Sequence, residues 1–329
     1  MIRRTACLIA RDTELTRNLA IEKHLMDTLP EETAILYLWQ NRRAIVIGRN
    51  QDPWAECSVG SFLSSGGQIA RRYSGGGSVY QDMGSLNFTF IMPKSQFDIS
   101  RQLSILGMAA GAFGLQPRAG RQSSLTVNGR KFADSSFYKS GAAAYHHGTL
   151  HLRTDLDMMQ RFMASERGDP SQGIVNLGSL VPELTLDALE EAVYWAFARM
   201  WGAEPAWLDE RMLNEQAISS IAARFADSSW TYPRTIPATL TIAERFPWGS
   251  VTVLMRTEGG IIREARVFTD AMEAGLFPLI EEALNGAPLL VSSISARIDQ
   301  QLSMLRDPHL LQIADDVDHL IQRSLRGRT

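Results

Sequence analysis

Residues Arg71-Arg72-Tyr73-Ser74-Gly75-Gly76-Gly77-Ser78-Val79-Tyr80 carry the clearest chemical signal in the chain. Glycines lack a Cβ and let the main chain close on a ligand. Successive N–H groups in such a turn can form an anion nest, and a neighbouring arginine adds a permanent charge with planar donors. A pocket for a phosphate or a carboxylate is the chemistry this implies; a flexible hairpin is the plainer reading of the same residues. Two more segments bear groups suited to anions. Lys131 follows Asn128-Gly129, and His146-His147 precede Gly148-Thr149. Side chains alternate along a strand, so one of the two arginines and at most one of the two histidines should face a common site. The histidines have no third ligand at a zinc-like spacing, which argues against a transition-metal centre.

Periodicity supplies the elements that would hold these groups. Residues 13–29 read as a helix closed by Pro30, and 99–113 as a second. Residues 34–40 and 44–48 are apolar, strand-like runs separated by Asn41-Arg42-Arg43, which suits a hairpin. Leu86, Phe88, Phe90 and Met92 alternate with Asn87 and Thr89, the pattern of a strand with one buried face. Asn128-Gly129 between 125–127 and 130–132 is the strongest short hairpin signal available. A strand at 145–152 and helices at 156–164 and 185–201 follow. This order predicts an α+β fold, a mostly antiparallel sheet with packed helices. Two prolines and little periodicity between Trp230 and Pro237 mark a linker, giving domains 1–237 and 238–329. The second should hold three short strands, at 239–242, 250–255 and 260–268, and helices at 272–284, 294–305 and 310–325.

At 329 residues, 45% hydrophobic and 21% charged, the composition is that of a soluble globular protein with a sizeable core. A net charge of −3 gives no reason to expect nucleic acid or an anionic membrane as partner. Two cysteines, Cys7 and Cys57, make no disulfide scaffold and suit a reducing cytosol. The apolar run near the start is too short for a signal peptide, and no stretch approaches the length of a membrane span. The expected location is the cytoplasm. Nothing resembles a coiled coil or an interface stripe, so a monomer is expected.

In order and spacing, the glycine-rich run, Tyr80-Gln81-Asp82-Met83-Gly84-Ser85-Leu86-Asn87-Phe88-Thr89-Phe90, Asn128-Gly129-Arg130-Lys131 and His146-His147-Gly148-Thr149-Leu150 resemble the lipoate–protein ligase A family. Asn18-Leu19-Ala20-Ile21-Glu22, Ile47-Gly48-Arg49-Asn50-Gln51-Asp52-Pro53-Trp54 and Val267-Phe268-Thr269-Asp270 fit as well. The resemblance therefore covers nearly the whole chain, including the small C-terminal domain of the longer bacterial ligases. It implies a biotin/lipoyl ligase-like fold and activation of lipoate by ATP with Mg²⁺. The lipoyl group of lipoyl-AMP would then pass to a lysine of a carrier domain, of 2-oxoacid dehydrogenases or of the glycine cleavage H protein. Octanoate is an alternative acyl substrate. On this resemblance Lys131 is the central cation, touching both the lipoyl carbonyl and the adenylate phosphate. Arg72 and Gly77-Ser78-Val79-Tyr80 match the nucleotide-binding positions. Ser74, Gly75 and Gly76 would leave room for the acyl end, with His147 as a wall of the lipoate site.

Four segments depart from the family pattern. Gln81-Asp82 stands for His-Asp, Gly84-Ser85 for Gly-Asn, and Arg121-Gln122-Ser123 for Arg-Asn-Asp. Lys131-Phe132-Ala133-Asp134-Ser135-Ser136 puts an aspartate where the family has glycine. An inward Asp134 would oppose the phosphate or neutralise Lys131, whereas an outward one would leave the site untouched. Alternatives to the ligase are an adenylation-deficient lipoyl or octanoyl transferase and a non-catalytic lipoate-binding paralogue.

Overall fold

The computed structural model describes residues 1–120, 123–163 and 173–326. Arg121 and Gln122 of the third departing segment, and Ala164 at the end of an expected helix, lie outside the described residues. The chain divides into two compact units. Unit 1 is Met1–Ile47, Pro53–Arg72 and Ser78–Thr231; unit 2 is Gly48–Asp52, Tyr73–Gly77 and Tyr232–Thr329.

Unit 1 is α+β, as expected. Its main sheet contains β1 (Arg4–Ile9), β2 (Thr33–Trp39), β6 (Ser85–Pro93), β7 (Arg118–Ala119), β8 (Leu125–Val127), β9 (Arg130–Ser140), β10 (Ala143–His151) and β11 (Ala206–Trp207). The order is β11-β1-β2-β6-β10-β9-β8-β7. The pairs β1–β2 and β1–β11 are parallel and the rest antiparallel. A second sheet joins β4 (Gln68–Arg71), β3 (Arg43–Ile47) and β5 (Val79–Asp82) in that order. The helices are α1 (Leu15–Asp27), α2 (Pro53–Glu56), α3 (Val59–Ser64), α4 (Ile99–Gly111), α5 (Leu156–Phe162), α6 (Leu177–Leu180), α7 (Leu186–Trp201), α8 (Glu215–Ala226) and α9 (Ser228–Thr231).

Two expectations are corrected. β2 and β3 are not a hairpin: β2 lies between β1 and β6 in the large sheet, while β3 pairs with β4 and β5. The polar Asn41-Arg42-Arg43 between them is a passage from one sheet to the other. Nor does β6 have a solvent face, since Asn87 and Thr89 are as buried as Phe88 and Phe90. Register explains this. Leu36, Leu38, Leu86, Phe88, Phe90 and Leu150 share one face and form a core with Ile105 and Leu106 of α4 and Leu189, Val193 and Phe197 of α7. Tyr37, Trp39, Asn87, Thr89, His147 and Thr149 share the other face, against which α1 packs. Both faces are covered, but only one is apolar. The Asn-Gly hairpin forms as expected: Asn128 and Gly129 have φ of 53° and 75°, the left-handed pair such a turn requires.

In unit 2, β12 (Leu240–Phe246), β13 (Gly249–Glu258) and β14 (Ile261–Thr269) form an antiparallel sheet. It is backed by α10 (Leu276–Leu284), α11 (Val291–Leu302) and α12 (Pro308–Arg326), with Phe277, Ile280, Ile313 and Val317 in the shared core. The two early segments are stitched to the end of β14. Gly76 N–H donates to Ala271 O (2.8 Å), Thr269 N–H to Asn50 O (2.8 Å) and Arg49 N–H to Ser74 O (2.9 Å). A Cβ at Gly75 would lie 2.4 Å from Ala271 O and 2.5 Å from Met272 O, whereas one at Gly77 would meet nothing within 4 Å. Gly75→Ala should therefore lower stability by about 1–3 kcal/mol, the usual range for overpacking against atoms that cannot turn aside. Gly77→Ala should stay within about 0.5 kcal/mol. Urea unfolding of the two variants checks the contrast.

Candidate active site

The polar face of the large sheet holds two groups of buried, mutually hydrogen-bonded side chains. At its centre the Glu22 carboxylate of α1, 2% exposed, accepts from Thr89 Oγ1 and His147 Nδ1, both at 2.7 Å. The Tyr145 hydroxyl also bonds to Glu22, and burial raises Tyr145 well above the ordinary phenol range. Nearby on α1, the Asn18 amide donates to Gln40 O (2.9 Å) and accepts from the Tyr37 hydroxyl (3.1 Å). Gln81 accepts from Asn41 (2.7 Å) and donates to Thr149 Oγ1 (2.9 Å), which in turn donates to Asn87 Oδ1 (2.8 Å). A covered polar face is tolerable only when its groups satisfy one another in this way.

Lys131 stands at the start of β9, fixed on both sides by main chain. Its N–H donates to Gly173 O (2.6 Å) and its C=O accepts from Val175 N (2.8 Å). The register of β8 with β9 shifts between Leu125 and Thr126, so Lys131 pairs with Thr126 while Ala133 pairs with Leu125. In a regular strand, positions i and i+3 face opposite ways. The bulge absorbs one residue and brings Lys131 and Asp134 to the same face, so the inward alternative for Asp134 holds. Lys131 Nζ donates to Asp134 Oδ1 at 2.5 Å, and Asp134 Oδ2 lies 2.8 Å from His151 Nε2. His151 is fully buried; Asp134 and Lys131 are about a third exposed, at 28% and 36% of their side chains. The chain continues from His151 Nδ1 to Thr154 Oγ1 (3.0 Å), then to Ser85 Oγ (2.9 Å), which lies 3.3 Å from Asp82 Oδ1. The neighbouring carboxylate raises the Lys131 pKa. Burial alone would raise Asp134, but Lys131 and the His151 hydrogen bond outweigh it and hold Asp134 well below the usual carboxylate range.

The paired residues of the sequence face apart. Arg71 donates to Trp230 O and Thr231 O, both at 2.9 Å, a structural clamp within unit 1. Arg72 donates to Val46 O (3.0 Å) and feels the charges of Glu22 and Asp134; burial brings its pKa down to about 10. His146 points into the apolar face, edge-on to Phe88 with ring centroids 5.4 Å apart, and burial depresses it to about 3. His147 points to the polar face. Ser78 leads into β5, which Val79 and Tyr80 open; the Tyr80 ring is 1% exposed and packs edge-on to Phe62, so the ring is part of the core. Ser74, Gly75, Gly76 and Gly77 belong to unit 2. Glu22, His151 and Thr154 were missed in the sequence. For Glu22 the available signal is a carboxylate on the covered side of a helix, within Asn18-Leu19-Ala20-Ile21-Glu22.

On this face the bulge of β9 brings Lys131, Asp134 and His151 together. Residues 14–198 match the model of the lipoyl protein ligase A/B catalytic domain, and 235–305 that of the bacterial lipoate protein ligase C-terminus. The chain belongs to the lipoyl protein ligase A/B family. It is similar to lipoate-protein ligase A of Psychrobacter cryohalolentis, 28% identical over 326 residues that cover 94% of this chain and 96% of the relative. Its fold is that of P. falciparum LipL1, solved in complex with lipoate. That likeness has a TM-score of 0.85 at 21% identity, over 96% of this chain and 99% of the other. A lipoate-protein ligase A bound with ATP superposes with a TM-score of 0.61 at 20% identity, over 70% of this chain and 99% of that one.

Replacing Asp134 with asparagine should lower the pKa of Lys131, which carbon NMR of the reductively methylated lysine would register. The folded-state pKa of Asp134 is depressed, so its contribution is complete above the ordinary carboxylate value of about 3.9 and fades as pH falls below it. For a pair exposed by about a third, the loss at neutral pH should be on the order of 1 kcal/mol. Unfolding of wild type and Asp134→Asn should converge in acid.

Proposed function

We propose that the protein is an ATP-dependent lipoate–protein ligase, and the observation that carries this reading is the fixed ammonium of Lys131 at the edge of the polar sheet face. In the first step a carboxylate oxygen of lipoate bonds to the α-phosphorus of ATP, the bond to the bridging oxygen breaks, and pyrophosphate leaves. In the second, the ε-amine of a carrier lysine attacks the acyl carbon of lipoyl-AMP; AMP departs with the electron pair and the amine gives up a proton. Both steps develop negative charge on oxygens that one cation can share. Lys131 is assigned that role, with Arg72, Gly77, Ser78, Val79 and Tyr80 main chain on the nucleotide and Ser74, Gly75, Gly76 and His147 on lipoate, as the family pattern has them. For His147, the bond to Glu22 leaves it a fixed wall rather than a mobile acid or base.

Mg²⁺ takes few protein ligands and keeps waters and substrate phosphates. Among the described residues no group of three or more His, Cys, Asp or Glu side chains could hold a metal, so Mg²⁺ is assigned to the nucleotide phosphates. The acceptors are lipoyl carrier domains, with residues 1–237 as catalytic and 238–329 as accessory domain, in a cytoplasmic monomer. Among the described residues no helix is long and apolar enough to cross a membrane. A cysteine-dependent octanoyl transfer is disfavoured, because burial pushes the thiols of Cys7 and Cys57 up to about 12 and leaves almost no thiolate at neutral pH.

One observation favours a second reading. Asp134 occupies the ammonium that adenylation would use, which suits a transferase fed with preformed lipoyl-AMP. Pyrophosphate release that requires both lipoate and ATP supports the ligase; carrier lipoylation only from supplied lipoyl-AMP supports the transferase. Under the ligase reading, Lys131→Ala should cut lipoate-dependent pyrophosphate release by at least about 100-fold, a loss typical of removing one transition-state donor. Its stability should fall by no more than the loss of the Asp134 pair costs, on the order of 1 kcal/mol, so the protein stays folded. Unchanged turnover would remove Lys131 from the mechanism.

A further inference from the structure

Asp134 is the group on this chain that the family pattern does not provide, and its surroundings are built for it. One carboxylate oxygen holds Lys131 and the other His151, whose second nitrogen leads through the hydroxyls of Thr154 and Ser85 to Asp82. Resting on the ligase reading, we propose that Asp134 and His151 are positioning residues that exchange charge with the substrate. The lipoate carboxylate or adenylate phosphate replaces Asp134 on Lys131, and the Asp134–His151 pair takes up one proton from solvent as it does so.

The argument is electrostatic. Lys131 offers a single positive charge, and a substrate anion that engages it approaches a second anion a few ångströms away. Like charges held this close repel one another strongly away from bulk water, and a proton on the pair removes that repulsion. The charged groups around the pair are Lys131 on its own strand, Arg72 just after β4, Asp82 of β5 at the far end of the hydroxyl chain, and Glu22 with His147 on the same sheet face. Arg72 already lies under the influence of Glu22 as well as Asp134, so it does not stand in for the missing charge. The bonds of His151 give the proton a place on the pair. With Nε2–H donated to Asp134, Nδ1 accepts from the Thr154 hydroxyl. If Nδ1 gains a proton, Thr154 and Ser85 turn over and the last hydroxyl points at the Asp82 carboxylate. Hydroxyl rotors reverse in this way without moving a heavy atom. Ser85 and Asp134 are two of the family departures, joined here in one chain of bonds.

The test is calorimetric titration of the full chain with lipoate in the presence of AMP, in buffers of low and high ionisation enthalpy (PIPES and Tris), at about pH 6, 7 and 8, across the ordinary imidazole range. The expected result is an uptake approaching one proton per lipoate bound, with affinity rising by up to tenfold per unit fall in pH. Asp134→Asn should bind lipoate at least as tightly, with no uptake and a flat pH profile. His151→Gln, which keeps a donor to Asp134, should move the uptake to lower pH. A merely structural role for the pair would change affinity or stability without changing the proton count. Wild-type binding without proton uptake, or the same uptake in Asp134→Asn, overturns the inference and leaves the ligase reading standing. No lipoate binding by the wild type at any pH overturns both.

Discussion

Burial of a polar sheet face by α1 is the constraint from which the arrangement of unit 1 follows. Polar groups removed from water cost several kcal/mol each unless partnered inside the protein. The face is therefore filled with residues that answer one another: Glu22 with Thr89, Tyr145 and His147; Asn18 with Tyr37 and the main chain at Gln40; Gln81 with Asn41 and Thr149. Such a network is fixed in its geometry because every bond that breaks strands a buried group. It holds the strands of the large sheet and α1 in one fixed arrangement.

The sequence made some of this legible and hid the rest for identifiable reasons. Asn128-Gly129 announces its turn because both positions need positive φ, a purely local demand. The alternation along β6 was visible too, but alternation reports chemistry and not exposure. Asn87 and Thr89 look like solvent-facing residues until a helix some sixty residues earlier is laid over them. The separation of β2 from β3 was invisible because pairing partners are chosen over long range, and a polar tripeptide serves a crossing as well as a hairpin. The placing of Asp134 depended on a single bulged residue. Without it Asp134 would face away from Lys131, and no composition or spacing rule locates a bulge.

The glycine-rich run shows how one motif can answer two demands. Read alone, its glycines suggest a cradle for an anion. In unit 2, Gly75 is excluded from bearing a side chain by the carbonyls of Ala271 and Met272, and Gly76 holds φ at 81° while donating to Ala271. Close backbone approach within the protein is thus sufficient reason for two of the three glycines. Gly77, whose Cβ would meet nothing, carries no such requirement, so any demand for a glycine there has to come from a ligand or from freedom of the loop.

Gly148 closes the argument about Asp134 from the neighbouring strand. A Cβ on Gly148 would sit 1.8 Å from the carbonyl oxygen of Asp134 and 2.7 Å from the Phe88 ring. The main chains of β9 and β10 therefore approach closely at the level of Asp134, and Asp134 itself keeps ordinary strand angles, since it is not among the non-glycine residues with positive φ. An aspartate in place of a glycine needs no special backbone here; the space on its side of the sheet is bounded by His151 and Lys131, both of which can bond it. Asp134 is accommodated by side-chain chemistry on one face and by a missing side chain on the other, next to the bulge that turns it toward Lys131.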